Sequence, residues 1–208
     1  VFSLEFVLTI TYHMRPMPDA AAVPDKRSKL AVVRDFRAEG VDAVPAFGFG
    51  KVGSLLADAD KKHVLADKFY FGGIASHKTV LCNELGFWVS YDSDALGFNN
   101  PNEVWENGDL DVVMIGASNI HGHCVPSDKH VASLIRNRIP KTANLGLHGG
   151  DPLVGLGVLK EFVRDRTVRH VVMVFAEGND NSGLKKSGRN PILRQYLKPE
   201  FSQELQAS

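Results

Sequence analysis

The sequence predicts an α/β fold in which helices cover a parallel sheet, and two observations in its second half support this. Three nearly continuous apolar runs lie at 111–116, 143–147 and 170–176, about 30 residues apart. Apolar runs of this length are typical of strands that are buried on both faces. Helical patterns separate the runs, one at 129–139 and one that begins at Pro152, a residue favoured in the first turn of a helix. Repeated βαβ units of this kind form a parallel sheet with right-handed connections.

The chain divides into an accessory region at 1–105 and the N-terminal part of an α/β core at 106–208. Within the accessory region, residues 69–91 are rich in β-branched and aromatic side chains, which predicts two or three short antiparallel strands. Residues 29–38 predict a short amphipathic helix that ends before Gly40. The apolar residues that define its inner face are Leu30, Val33 and Phe36.

The composition excludes several classes of protein. Hydrophobic residues make up 44% and charged residues 23% of the 208 residues, values that allow a sizeable core. The 24 Lys and Arg residues balance the 24 Asp and Glu residues, so the chain has no basic excess of the kind that binds nucleic acid. We therefore predict no nucleic-acid partner.

Two further features bear on where the protein works. Cys82 and Cys124 are too few for a disulfide scaffold and show no metal-type spacing, although a single bridge between them is compatible with the sequence. The chain starts with about a dozen residues that are apolar apart from Glu5. This segment is shorter than the roughly 20 residues that span a bilayer. It is expected to be either a local strand or helix, or the end of a membrane anchor upstream of Val1.

A small or polar motif follows each predicted strand: GAS, then HGG, then EGND. Neighbouring parallel strands bring their carboxyl ends to one edge of a sheet, where α/β proteins place their ligand sites. Acyl transfer needs a nucleophilic oxygen and, about 3 Å away, donors for the oxyanion that forms at the attacked carbonyl. We predict that the Ser118 hydroxyl is the nucleophile. The backbone N–H of Gly149 and the side-chain amide of Asn179 are the predicted donors.

The three motifs in this order resemble those of the SGNH (GDSL-type) serine hydrolases, a family named for Ser, Gly, Asn and His in four blocks. The resemblance covers roughly residues 85–205 and includes YDSDALGFNNP, VPSDKH and NLGLHGGDPL. The segment NPILRQYLKPEFSQEL is similar to the one that follows the EGND block in membrane-associated bacterial members.

This resemblance implies a three-layer α/β/α fold with a flavodoxin-like parallel sheet. It also implies an esterase that hydrolyses O-acyl or thioester bonds without a metal or an organic cofactor. Ser118 would be the nucleophile, and its own backbone N–H would join Gly149 and Asn179 in the oxyanion hole. The expected substrate is a small acyl ester or an acylated glycan. The expected location is extracytoplasmic or membrane-associated, on the periplasmic side, with the cytoplasm as the alternative.

The sequence departs from the family pattern at two points. Ala117 stands where the family usually has Asp before the serine, which removes a hydrogen-bonding side chain from the turn. The fourth block, D-x-x-H, is missing, since no histidine follows His170, and a serine without a base is a poor nucleophile. We expect this base and its Asp to lie beyond Ser208. His121 and His148 are the weaker candidates for a substitute base.

Each motif also has a purely structural explanation. Ser118 is compatible with a helix cap, Gly149 and Gly150 with a tight turn, and residues 179–180 with an Asx turn. The occurrence of all three motifs in the same order, each at a predicted strand end, favours the hydrolase interpretation.

Other interpretations belong to different classes of protein. A catalytically inactive SGNH-like domain would bind a carbohydrate or a protein partner. Gly48, Gly50 and Gly53 have the spacing of a dinucleotide-binding turn, but Pro45 lies where the preceding strand should be, so a glycine-rich loop is favoured. The HGHC segment at 121–124 has metal-type side chains, yet no second ligand pair stands at a recognised spacing, so no metal site is predicted.

Overall fold

The structure is a computed structural model that describes residues 24–47, 68–106 and 108–206. Within these ranges the chain forms a mixed α/β fold with two three-stranded sheets. The first sheet is mixed, whereas the second is entirely parallel. The predicted α/β class and the predicted parallel sheet are therefore confirmed.

The first sheet has the strand order β1 (Ala43–Pro45), β2 (Lys78–Cys82) and β3 (Val89–Asp92). β1 and β2 are parallel, whereas β2 and β3 are antiparallel. The antiparallel pair predicted within 69–91 is thus confirmed. β1 contains Pro45 and lies at the edge of the sheet, which is where a residue without a backbone N–H is tolerated.

Helix α1 (Lys29–Ala38) has the bounds that the sequence predicts. The Ser28 hydroxyl caps its first turn by accepting a backbone hydrogen bond at 3.2 Å. Its inner face differs from the prediction, because Leu30 is 56% exposed whereas Val32 and Val33 are buried. The helix packs on β1 and β2 through these two valines, so the contact with the sheet decides which side of the helix faces inward.

In the second sheet, β4 (Leu110–Gly116) lies between β5 (Thr142–Asn144) and β6 (Val168–Val174). The connections between these strands contain α2 (Ser118–His121), α3 (Val131–Arg136) and α4 (Pro152–Phe162). The predicted alternation of strands and helices is confirmed, although α3 and β5 are shorter than the sequence indicates.

The main core lies between β4 and α4. It is built from large apolar side chains that include Phe71, Phe98, Val113, Val158 and Tyr196. Two helices follow β6, namely α5 (Glu177–Ser187) and α6 (Pro191–Gln195). None of the helices in the described ranges has the length and apolar character that crossing a bilayer requires.

β6 is a strand, as its apolar run predicts, but the expectation that it is buried on both faces is wrong. Val171 is 49% exposed, Val172 40% and Met173 43%. β6 is an edge strand among the described residues, and burial depends on neighbouring elements rather than on the strand's own composition. The sequence therefore predicts correctly that this segment is a strand, but it predicts the burial of the strand's faces incorrectly.

The last described segment is fastened to α4 by the buried carboxylate of Glu161. Its Oε1 accepts hydrogen bonds from Tyr196 Oη at 2.6 Å, from Ser202 Oγ at 3.0 Å and from Gln203 N–H at 2.6 Å. Its Oε2 accepts one from Leu205 N–H at 2.9 Å. Burial raises the pKa of Glu161, but these hydrogen bonds outweigh burial and hold the pKa below its usual value. The carboxylate is therefore ionised and saturated with donors.

Replacing Glu161 with Gln puts an NH₂ group opposite one of these donor sets, so at least one buried donor loses its acceptor. We expect Glu161→Gln to lower the free energy of unfolding by about 2 kcal/mol, measured by urea denaturation. Glu200→Gln is the matched control, because Glu200 is an exposed carboxylate in the same segment. Equal losses in the two variants would contradict the role of Glu161.

Candidate functional site

Ser118 stands directly after the central strand of the parallel sheet. β4 ends at Gly116, and Ser118 is the first residue of α2, with Ala117 as its N-cap. Ala117 provides no side-chain capping bond, which is the local result of having Ala at this position. The Ser118 side chain is partly exposed, and within the described part of the chain its hydroxyl makes no hydrogen bond. It is thus accessible at the carboxyl end of β4.

The HGG turn lies beside this strand end. The Leu147 N–H donates a hydrogen bond to the Gly116 carbonyl at 3.0 Å. Gly150 approaches the same carbonyl so closely that a Cβ on Gly150 would lie 3.0 Å from its oxygen. Gly149 has a φ of +83°, a conformation that favours glycine, and a Cβ there would meet open space. The backbone at Gly149 therefore borders an open region next to β4.

The EGND motif lies at the third strand end. In the sheet, Val174 of β6 pairs with Gly116 of β4, and α5 starts three residues later at Glu177. Asn179 is exposed, and its side-chain Nδ2 lies 3.4 Å from Oδ1 of Asp180. The structure therefore brings the turns that carry Ser118, Gly149 and Asn179 to the same edge of the sheet.

Two buried aspartates hold the second and third turns. Asp151 caps α4 by accepting a hydrogen bond from Leu153 N–H at 2.9 Å, and it also bonds to the Ser187 hydroxyl at the end of α5. Asp180 accepts a hydrogen bond from the Ala176 N–H at 2.8 Å, which fixes the start of α5. The Asp151–Pro152 pair at the start of α4 is a sequence signal for the first of these caps. The link to Ser187 has no such signal.

The YDSDALGFNNP segment, which resembles part of the family pattern, contains a buried polar network. The Asp94 carboxylate accepts four hydrogen bonds between 2.8 and 2.9 Å, from the backbone of Leu96 and Phe98 and from the side chains of Asn100 and Trp105. Asp94 is only 1% exposed. Its charge is tolerated in the interior because donors surround both of its oxygens.

Two asparagines extend this network to the strand ends. Asn100 Oδ1 accepts hydrogen bonds from Asn144 N–H at 2.7 Å and from the Arg136 side chain at 2.9 Å. Asn99 Nδ2 donates to the His121 carbonyl at 3.1 Å. The network therefore fixes both the end of β5 and the end of α2. The sequence analysis did not identify this network, because the partners of Asn99 and Asn100 lie far along the chain.

A cavity of about 280 Å³ lies between the first sheet and α2. Its lining includes Trp88, Tyr91 and three histidines, namely His121, His123 and His148. The rings of His123 and His148 are stacked with centroids 3.9 Å apart, and Tyr91 meets His121 edge-on at 5.8 Å. Ser118 is not among the lining residues, but His121 follows it on α2 and His148 precedes Gly149. The cavity is thus adjacent to two of the three turns.

His121 is a poor candidate for a substitute base. Burial lowers its pKa to about 3, and the neighbouring histidines His123, His148 and His130 act in the same direction. An efficient general base has a pKa near the working pH. An imidazole whose pKa lies this far below neutrality accepts a proton weakly.

The two cysteines come together, which the sequence left open. Cys82 at the end of β2 and Cys124 after α2 form a disulfide with a Cα–Cα distance of 5.5 Å. The bond joins the first sheet to the segment that follows α2. His123 adjoins it, so that the potential metal-binding atoms of Cys82, His123 and Cys124 lie within 4.8 Å of one another. Sequence spacing gave no sign of this cluster, because the cysteines are 42 residues apart.

Comparison of the chain with family models, with curated proteins and with solved structures gives no match. The family resemblance therefore rests on the three motifs and on the segments around them. The glycine-rich segment with Gly48, Gly50 and Gly53 lies outside the described residues, so its interpretation stays a prediction.

His130 lies between α2 and α3, and its pKa is below the ordinary range of a histidine. Its Nδ1 accepts a hydrogen bond from Ser133 N–H at 3.2 Å and so caps α3. Burial lowers the pKa of His130 to about 4, and the charge of Arg136 adds to this, while Asp128 opposes it. The folded protein therefore holds His130 in the neutral form.

The lowered pKa makes stability depend on pH. An unfolded histidine takes up a proton near pH 6.5, whereas folded His130 does so only near 4. Its contribution is complete above about pH 6.5 and is lost as the pH falls towards 4. His130→Asn keeps a capping oxygen but does not titrate. Between about pH 7 and pH 4.5, wild type should lose about 2 kcal/mol more unfolding free energy than this variant. Parallel pH profiles in urea denaturation would contradict the assignment.

Proposed function

We propose that the protein is a serine esterase of the SGNH type that hydrolyses O-acyl esters through an acyl-enzyme on Ser118. The observation that carries the proposal is that three turns lie at the carboxyl ends of neighbouring parallel strands. These turns carry Ser118, Gly149 and Asn179. The proposal includes a three-layer α/β/α architecture, and the parallel sheet with its helices is compatible with it.

In the proposed reaction, the Ser118 oxygen attacks the acyl carbonyl carbon while its proton passes to a general base. The oxyanion of the tetrahedral intermediate accepts hydrogen bonds from the backbone N–H groups of Ser118 and Gly149 and from the Asn179 amide. The protonated base then gives its proton to the leaving alcohol, and an acyl ester on Ser118 remains. Water, deprotonated by the same base, attacks the acyl carbon, the bond to the Ser118 oxygen breaks, and the base returns the proton to that oxygen as the carboxylic acid leaves.

Two features favour the proposed donors. A Cβ on Gly149 would meet no atom within 4 Å, so the side of this residue that lacks a side chain faces open space. Among the described residues, the Asn179 amide donates to Oδ1 of Asp180 alone, at 3.4 Å, which is a long and weak bond that a substrate oxyanion can replace. We further propose a small acyl ester or an acylated glycan as the substrate, in an extracytoplasmic or membrane-associated setting.

The proposal requires a general base, because a serine hydroxyl at neutral pH is a weak nucleophile. Fluorophosphonate reagents react with serines that a base activates, so they test the nucleophile and its base together. We expect a fluorophosphonate to label the full-length protein, with its general base, on one residue, and Ser118→Ala to remove the label. Ser133→Ala is the matched control and should label like wild type. Labelling that persists in Ser118→Ala would exclude Ser118 as the nucleophile.

The Asn179 side chain should contribute more to kcat than to the binding of the ester substrate. Loss of one oxyanion donor costs about 10²–10³ in kcat, so Asn179→Ala should slow the hydrolysis of an aryl acetate by that factor with little change in KM. Asn181→Ala is the control, since Asn181 is an exposed asparagine on the same helix. A rate for Asn179→Ala equal to that of Asn181→Ala would contradict an oxyanion role.

The alternative function is an inactive SGNH-like domain that binds a carbohydrate or a protein partner. The cavity favours it, because aromatic and imidazole rings line a space that does not include Ser118. Binding of an acetylated oligosaccharide that is unchanged in Ser118→Ala, together with no fluorophosphonate labelling of wild type, would support this function over the esterase.

A further inference from the structure

Two cysteines and a histidine from distant parts of the chain meet beside the cavity. Cys82 is the last residue of β2, whereas His123 and Cys124 follow α2. Two sulfur atoms and one imidazole nitrogen lie within 4.8 Å of one another. Cys82 and His123 also line the cavity, so the cluster borders a space that small solutes can enter.

The donor atoms of this cluster are those that zinc prefers. Two thiolates and one imidazole provide three protein ligands, and a site of this composition keeps a fourth position open. Nδ1 of His123 is buried and has no hydrogen-bond partner in the described part of the chain, and the same is true of Nδ1 of His121. Buried nitrogens in this condition are unusual in folded proteins. A bound cation would give at least one of them a partner.

The backbone geometry is compatible with both a disulfide and a metal site. The Cα atoms of Cys82 and Cys124 are 5.5 Å apart, which is within the usual range for a bridge. A tetrahedral zinc ion with bonds of about 2.3 Å to sulfur holds its two sulfur atoms about 3.8 Å apart. Once the sulfur–sulfur bond is broken, rotation about the two Cα–Cβ bonds reaches this separation while the backbone stays in place.

We infer that Cys82, His123 and Cys124 form a redox-gated binding site for a zinc-class divalent cation. A dithiol reductant donates two electrons and two protons, which breaks the disulfide and leaves two thiols, while the reductant itself becomes a cyclic disulfide. The cation then forms two bonds to sulfur and one to the His123 imidazole, and the two thiol protons pass to solvent. Water or a ligand from the cavity takes the fourth position.

Cobalt(II) is the probe, because its absorption reports both tetrahedral geometry and bonds to thiolate. The untagged 208-residue chain is reduced with a phosphine, which takes up water to become the phosphine oxide, and is titrated with cobalt(II) without oxygen. We expect one equivalent to bind, to give thiolate charge-transfer and tetrahedral ligand-field bands, and to be displaced by zinc. The oxidised protein should give neither band.

His123→Ala is the decisive variant, since it keeps both cysteines and therefore the disulfide. In the oxidised state it should melt near the temperature of wild type, which shows that it folds. In the reduced state its affinity for cobalt(II) should fall by at least the roughly 10–100-fold that the loss of an outer-shell partner costs, because a direct ligand is removed. Cys82→Ser should lose the charge-transfer intensity of one sulfur. His170→Ala is the control, because His170 is an exposed histidine on β6, and it should bind like wild type.

Three results would overturn the inference. The first is a reduced wild-type protein that gives no thiolate charge-transfer band. The second is an affinity of reduced His123→Ala equal to that of His170→Ala. The third is a reduced protein that loses its near-ultraviolet circular dichroism and does not regain it with zinc, since thiolates would then bind metal only in an unfolded chain. None of these results bears on fluorophosphonate labelling of Ser118.

Discussion

The Asp94 carboxylate is the constraint on which the geometry around the candidate site depends. A buried carboxylate is costly unless hydrogen bonds replace its lost hydration, and here four donors do so. Asn100, one of these donors, also binds the backbone of Asn144 at the end of β5, and neighbouring Asn99 binds the His121 carbonyl at the end of α2. The position of the helix that starts with Ser118 is therefore set by a polar network about twenty residues before it in the sequence, and not by β4 alone.

Close backbone packing fixes the carboxyl ends of β4 and β6 relative to each other, and a helix cap fixes the start of α4. Gly116 meets the Val174 carbonyl so closely that a Cβ would lie 2.9 Å from its oxygen, so the strand ends can adjoin only because a glycine stands there. Asp151 then ties the start of α4 to Ser187 at the end of α5. In the proposed function these turns face a substrate, so they cannot bury apolar side chains on that side. The rigidity of these turns has to come from the residues that pack behind them, here Gly116 and Asp151.

The sequence predicted the elements whose signals are local. The end of α1 was predicted from Gly40 and the start of α4 from Pro152, and the structure adds the caps that Ser28 and Asp151 provide. It failed where the outcome depends on distant partners. β6 has an apolar sequence but an exposed position, because no described element covers it. The bridge between Cys82 and Cys124, with His123 beside it, joins residues that no spacing rule connects. Local chemistry determines helices and turns, whereas burial and side-chain clusters are properties of the whole fold.

The open position of β6 has a consequence for the behaviour of the protein in concentrated solution. Within the described part of the chain, one edge of this strand has no partner strand, and the apolar residues Val171, Val172 and Met173 lie exposed along it. Peptide groups at such an edge are a template for another extended segment, and natural proteins usually guard them with charge, proline or a covering helix. In β6, Arg169 is charged and pairs with Asp111, whereas the run from Val171 to Met173 contains no charged residue and no proline. The segment that pairs with this edge therefore determines whether the molecule stays monomeric or associates with other chains through added strands.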